Sequence, residues 1–280
     1  MTKSTRRRKG IVHSVLSFIV TVIMIIRFIR ADYYSVFLCA LTLALFYIPA
    51  FIDRTFRVKL TPELQVIILL FIFSAEILGE IGSFYTFIPW WDTMLHTING
   101  FLMAAIGFAM IDILNNSPRF HISLSPLFVA FVAFCFSMTV GVLWEFFEFG
   151  MDFFTLSDMQ KDKIVTAISS VKLHPEGIND PVVMRGIDKT VLYFSDGTLP
   201  YTINGGYLDI GIYDTMKDLL VNLIGAVVFS VIGYFYIIGR DRGMFATKFI
   251  PQMKTREEIE QTKAQIRAER ECKRRKRANK

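Results

Sequence analysis

Acidic, amide and histidine side chains recur at helical spacing in four separate apolar segments of this chain. Residues three or four positions apart share one face of a helix, so each set lies along one stripe. The four sets are Glu76 and Glu80; Asp92, His96 and Asn99; Glu145, Glu148 and Asp152; and Asp214, Asp218 and Asn222. Charged groups inside a membrane are costly, at about 2.5–3.5 kcal/mol each on insertion scales, so their placement predicts a functional site.

Carboxylates gathered at one depth of a bilayer repel one another unless protons or a cation neutralise them. We therefore predict a divalent-metal site. An oxygen-rich set suits Mg²⁺, Mn²⁺ or Ca²⁺, and a single histidine leaves Zn²⁺ open. The predicted metal ligands are Asp92, His96, Glu145, Glu148, Asp214 and Asp218, with Glu145, Glu148 and His96 also as catalytic groups and Glu76, Glu80, Asn99, Asp152 and Asn222 as supporting residues.

Each of these residues also has an ordinary structural interpretation. Asp92 and Asp214 open helices, where an acid is favoured by the helix dipole and as a cap. The three tryptophans at 90, 91 and 144 are typical of an aromatic belt at the membrane interface. The sequence contains neither His-Glu-x-x-His nor Gly-x-Ser-x-Gly, so the common zinc-protease and serine-hydrolase motifs are excluded.

The segments that carry these residues are long enough to cross a membrane. The composition is 53% hydrophobic with a mean hydropathy of +0.44, and a helix needs about 20 apolar residues to span the hydrocarbon core. The expected fold is an all-α, multi-pass membrane protein, with its first span a retained signal anchor. The six predicted spans are 11–29, 33–52, 64–82, 94–114, 126–149 and 216–238.

The distribution of charge predicts that both termini face the cytoplasm. Residues 1–10 carry five cations, residues 240–280 carry 14 cations against 6 anions, and residues 150–213 carry 5 cations against 8 anions. Segments rich in Lys and Arg next to a span stay on the cytoplasmic side. Arg27 and Arg30 are the exceptions, because they lie at a predicted outer end. The predicted parts are a basic cytoplasmic N-terminus (1–10), spans one to five (11–149), an extracytoplasmic loop (150–213), span six (214–239) and a basic cytoplasmic helical tail (240–280).

Two local patterns predict structure outside the spans. In the loop, residues 190–194 and 199–203 flank Asp196 and Gly197, which predicts a β-hairpin. In the tail, Thr255 and Glu258 form a capping-box pattern. The basic block 273–277 favours contact with anionic lipid headgroups; nucleic acid is not an expected partner, because aromatic residues are not interleaved with the basic ones.

Spans four and six look alike. The sequence Asp92-Thr-Met-x-His96-x-x-x-Gly lines up with Asp214-Thr-Met-x-Asp218-x-x-x-Asn, and each follows a span that ends in a pair of glutamates. This predicts that spans 3–4 and 5–6 are diverged parallel repeats.

The same motifs carry a family resemblance over roughly spans three to six. Trp91-Asp-x-x-x-His96, Trp144-Glu-x-x-Glu148 and Asp214-Thr-Met-x-Asp218-x-x-x-Asn222-x-x-Gly225 resemble the YjdF-like family of bacterial inner-membrane proteins. More distantly, the chain is similar to VanZ-like proteins, which are linked to glycopeptide resistance. The resemblance implies a topology in the bacterial cytoplasmic membrane and no particular reaction.

Three functions remain open on these grounds. The first is a metal-assisted hydrolase or transferase that acts on an envelope lipid or lipid-linked precursor. The second is a small proton- or cation-coupled transporter, and the third is a non-catalytic envelope factor stabilised by a metal. The lipid bilayer is a partner in all three, and the oligomeric state is left open.

Overall fold

The computed structural model describes residues 3–55, 58–115, 124–239, 252–253, 260, 264 and 271. This part of the chain is mostly helical, with six helices long and apolar enough to cross a membrane, as predicted. These candidate spans are Gly10–Ile29, Tyr33–Ile52, Pro62–Ile81, Trp91–Asp112, Pro126–Thr155 and Ile212–Ile238. The chain divides into two compact units: Met1–Val140 with Val221–Lys280, and Gly141–Leu220.

The first unit opens with the helices α1 (Lys3–Ile29), α2 (Tyr33–Leu45) and α3 (Ile48–Thr55). Asp32 caps α2: its carboxylate accepts hydrogen bonds from the hydroxyl and the backbone N–H of Ser35, which lower the pKa of Asp32. Arg27 lies 3.1 Å from the same carboxylate and donates to the Ile81 carbonyl. The positive-inside rule disfavours an arginine at the predicted outer end of this span. Arg27 is nevertheless paired there with Asp32 and the Ile81 carbonyl.

The third span changes its helical type partway along. Helix α4 (Pro62–Ile72) begins after Thr61, whose hydroxyl accepts the Leu64 N–H, and a proline suits the first turn because no N–H is needed there. The helix then continues as a π-helix over Phe73–Ile81. Such wider turns are rare and often lie at functional sites.

Two aromatic side chains pack on this π-helix. A Cβ atom on Gly79 would overlap the Tyr85 ring, so glycine leaves room for that ring. The indole N–H of Trp91 donates to the Ser74 carbonyl at 3.3 Å. The short helix α5 (Phe84–Phe87) carries Tyr85 and leads towards Trp91.

The remaining spans are α6 (Trp91–Asn115), α7 (Pro126–Thr155) and α8 (Ile212–Ile238). The sequence windows started at 94 and 216 and ended at 149, so each helix extends further at its polar end. Apolar windows stop at the first charges, whereas the helix backbone does not. Asp92 and Asp214 fall in the first turns of α6 and α8, where the helix dipole favours acids.

Close contact between α6 and α8 forms the centre of the first unit. Gly100 packs on the Asn222 backbone, and Gly225 packs on the Thr97 carbonyl. Further along both helices the Phe101 and Phe229 rings meet at 5.0 Å. The contacts advance in the same direction on both helices, from Asn99 with Asn222 through Phe101 with Phe229 to Phe108 with Tyr236, so α6 and α8 run parallel.

The packing around this crossing is tight and involves mainly small and aromatic residues. The Ser137 hydroxyl of α7 donates to the Gly100 carbonyl at 2.7 Å, and Gly107 packs on Phe136. Phe108 lies 6.0 Å from Phe229, and both are fully buried. Small residues at such crossings let helix backbones approach closely in a membrane.

The second unit holds the end of α7, the start of α8 and three small antiparallel sheets. The strands are β2 (Ile164–Val165), β3 (Ala167–Ser170), β4 (Val182–Arg185), β5 (Lys189–Leu192), β6 (Tyr201–Asn204) and β7 (Tyr207–Leu208). They pair as β2 with β7, β3 with β4, and β5 with β6. A one-turn 3₁₀-helix, Val171–Leu173, follows β3.

The predicted hairpin is present, with a longer connection than expected. Leu192 pairs with Tyr201, and Lys189 pairs with Asn204, so residues 193–200 form the loop. Asp196 accepts the Thr198 N–H at 2.9 Å within it. The predicted strand residues 193, 194, 199 and 200 are therefore not in strands, because this turn widens the loop before pairing starts.

The basic tail is largely beyond the described residues. The capping-box pattern at Thr255 and Glu258 and the block 273–277 both lie outside them, so those two predictions remain as they stand. Within the tail, β8 (Gln252–Met253) pairs antiparallel with β1 (Val58–Lys59).

The α6–α8 crossing yields a testable prediction. Gly225→Ala places a methyl group against the Thr97 carbonyl and 2.9 Å from the Phe101 nitrogen. We expect a loss of about 1–3 kcal/mol in the free energy of unfolding in detergent, typical of overpacking. Gly150→Ala is the matched control, because its Cβ meets nothing within 4 Å and alanine favours a helix over glycine. Equal stability of the two variants would contradict this close packing.

Candidate functional site

The start of α6 places an acid and a histidine one turn apart. Asp92 Oδ1 lies 3.4 Å from His96 Nε2, and His96 is 8% exposed. A proton on Nε2 facing this carboxylate leaves Nδ1 with the lone pair that a metal needs. Carboxylates in that position orient the imidazole and make it a better ligand. Asp92 is therefore placed either to orient His96 or to bind an ion beside it.

A pair of amides, one of them buried, lies one turn deeper. Asn99 Nδ2 donates to Asn222 Oδ1 at 3.2 Å, and Asn222 is 1% exposed. The Asn222 amide nitrogen also faces the Met138 sulfur at 3.6 Å. The hydrogen bond between Asn99 and Asn222 bridges α6 and α8, a role that amides often have between membrane helices. The two supporting residues Asn99 and Asn222 thus contact each other.

The end of α7 carries the two predicted catalytic glutamates. Glu145 and Glu148 are 4% and 8% exposed. The indole N–H of Trp144 donates to Glu148 Oε1 at 2.8 Å. The three tryptophans of the predicted belt have different surroundings. Trp90 is well exposed, Trp91 is buried, and the Trp144 N–H donates to a buried acid.

The start of α8 holds two acids and a lysine. Lys217 Nζ lies 3.2 Å from Asp214 Oδ1 and 3.3 Å from Asp218 Oδ1. Asp218 is almost fully buried. One ammonium group thus offsets part of the negative charge at this helix end.

Three carboxylates of the second unit bind backbone N–H groups of residues 159–163. Asp152 accepts from Met159 and Gln160, Asp214 Oδ2 accepts from Lys161, and Asp209 accepts from Lys163. Both oxygens of Asp214 therefore have hydrogen-bonding partners within the protein. Asp152 and Asp214, predicted as a supporting residue and a ligand, hold this segment against the helix ends.

Asp209 is a structural residue that the sequence reasoning did not single out. Its carboxylate also accepts the N–H groups of Gly211 and Tyr213 at the start of α8. Its position just before a helix start was the available clue, because aspartate is a favoured capping residue there. Burial and the nearby Asp158 and Asp209 raise the pKa of Asp162 in the same segment.

Two groups of side chains, both containing His96, could hold a metal ion. They are Asp92, His96 and Asp218, and His96, Glu145 and Glu148. Oxygen-rich sets of this kind suit Mg²⁺, Mn²⁺ or Ca²⁺, and the single imidazole leaves Zn²⁺ open.

The other predicted residues lie outside these groups. Asp214 and Asp152 bind backbone, as described above. Glu76 and Glu80 lie in the π-helix, where Glu76 is partly buried and Glu80 is exposed. Of the six predicted ligands, the two groups contain Asp92, His96, Glu145, Glu148 and Asp218.

The candidate spans define a multi-pass membrane protein. Residues 12–239 match the family DUF2238, described as a predicted membrane protein, and the chain belongs to this family. No curated protein and no solved structure matches the chain. The family description states no reaction, so the resemblances to the YjdF-like and VanZ-like groups stay predictions.

Proposed function

We propose that this membrane protein binds a divalent cation through His96 and neighbouring carboxylates and uses it as a hydrolase or transferase. The substrate class is an envelope lipid or a lipid-linked precursor. The observation that carries the proposal is the presence of one buried imidazole, His96, in two groups of potential ligands.

Charge balance supports a cation. The two groups contain four carboxylates, and Asp218, Glu145 and Glu148 are all at least nine-tenths buried. Lys217 contributes one positive charge beside Asp218. Several carboxylates in low dielectric cannot all stay ionised without further positive charge, which a divalent ion supplies.

The carboxylates that do not bind the ion can act on protons. In a hydrolysis, a bound cation would polarise a phosphoryl or carbonyl oxygen of the substrate. Glu145 or Glu148 takes a proton from the attacking water as the water oxygen bonds to the phosphoryl or carbonyl centre. The bond to the leaving group breaks as the leaving group takes up that proton. His96 and the remaining acids hold the ion in place.

The site is reached from one side of the membrane in this proposal. Seven residues separate Asp92 from Asn99, about 10 Å of helix against a core of about 30 Å. Beyond Asn99, the rings of Phe101, Phe108 and Phe229 fill the space between α6 and α8. This apolar packing among the described residues favours a reaction at one surface over a transport path.

We further propose that both termini are cytoplasmic and that residues 150–213 are extracytoplasmic, in the cytoplasmic membrane of a bacterium. The charge distribution supports this orientation. The parallel direction of α6 and α8 agrees with α7 crossing back between them. The polar ends of α6, α7 and α8 then face outward.

The orientation is tested by cysteine labelling in intact cells. Ser195→Cys places a thiol in the exposed hairpin loop, and the native Cys272 of the tail is the internal control. We expect a membrane-impermeant maleimide to label residue 195 in intact cells and Cys272 only after permeabilisation. Labelling in the reverse order would contradict the orientation.

The activity is tested on protein reconstituted in liposomes of bacterial polar lipids. Wild type is compared with His96→Ala and Asp218→Ala, and His174→Ala in the loop is the matched control. We expect a lipid product that forms with Mn²⁺, disappears with EDTA, and falls at least tenfold in the first two variants only.

The same liposomes distinguish the other two functions. Uptake of Mn²⁺ without a lipid product would favour the transporter. Metal-dependent thermal stability without product or uptake would favour the non-catalytic factor. Full product formation by both His96→Ala and Asp218→Ala would contradict the proposed site.

A further inference from the structure

Trp144 joins the exposed surface of α7 to a buried acid of the candidate site. Its side chain is 44% exposed, yet its indole N–H donates to Glu148 Oε1 at 2.8 Å. Glu148 itself is only 8% exposed. The two residues are four positions apart, so they lie on the same face of the helix.

This orientation differs from that of an ordinary interfacial tryptophan. At a membrane interface the ring sits among lipid and the N–H usually finds water or headgroups. Here the N–H points to a carboxylate instead, and the ring packs 5.3 Å from Phe147 on the same helix. The bond fixes one oxygen of Glu148 and the rotamer of its side chain.

We propose that Trp144 is a positioning residue for Glu148 as a metal ligand, an inference that rests on the proposed function. Groups that hydrogen-bond a ligating side chain orient it, and their loss typically weakens metal binding by about 10–100-fold. The indole N–H holds one oxygen of Glu148 and so limits the directions in which its carboxylate can face an ion. Trp144 therefore sets the geometry of this ligand from the exposed surface of α7.

The first test compares Mn²⁺ affinities, measured from the free-ion EPR signal. Trp144→Phe keeps an aromatic ring and removes the N–H, and Trp90→Phe is the control at an exposed tryptophan. We expect about 10–100-fold weaker binding in Trp144→Phe and an unchanged affinity in Trp90→Phe. Equal affinity in wild type and Trp144→Phe would overturn the inference and leave the proposed function standing. Absence of Mn²⁺ binding in wild type would overturn both.

The second test does not depend on the folding of a tryptophan variant. In protein labelled with ¹⁵N at the indole nitrogens, the Trp144 resonance should move upfield in Glu148→Ala, because its acceptor is lost. The Trp90 resonance should stay in place in the same sample. An unchanged Trp144 resonance would overturn the proposed bond to Glu148.

Discussion

The close crossing of α6 and α8 is the constraint on which the rest of the structure depends. Gly100 and Gly225 let the two backbones touch, which places the amides of Asn99 and Asn222 in hydrogen-bonding contact. One turn towards the helix starts, α6 carries His96 and α8 carries Asp218. Without a glycine at each of the two positions, the helices would separate and the polar stripes would lose their register.

The second organising feature is the way in which buried negative charge is compensated. Asp152, Asp209 and Asp214 accept backbone N–H groups, and so their charge serves to fix a loop. Lys217 sits between Asp214 and Asp218. Asp152, Asp209 and Asp214 thus have structural partners, whereas the acids grouped with His96 are candidate ligands. The spacing of the residues alone could not distinguish these two sets.

Helical spacing made much of this arrangement predictable. The stripe Asp92, His96 and Asn99 and its counterpart in α8 follow from intervals of three and four residues, and the apolar stretches gave six spans. Helix ends were harder, because a hydropathy window stops at charges such as Asp214 while the backbone continues as helix. The π-helix at Phe73–Ile81, the direction of the Trp144 N–H and the capping by Asp209 depend on tertiary packing, which has no short-range pattern.

The most direct test of the central claim is whether a bound ion touches the His96 imidazole. Electron spin-echo envelope modulation of the protein loaded with Mn²⁺ detects nitrogen nuclei in the first coordination sphere. We expect modulation from a single imidazole nitrogen in wild type and its loss in His96→Gln. Bound Mn²⁺ without nitrogen modulation in wild type, or the same modulation in His96→Gln, would contradict the central claim.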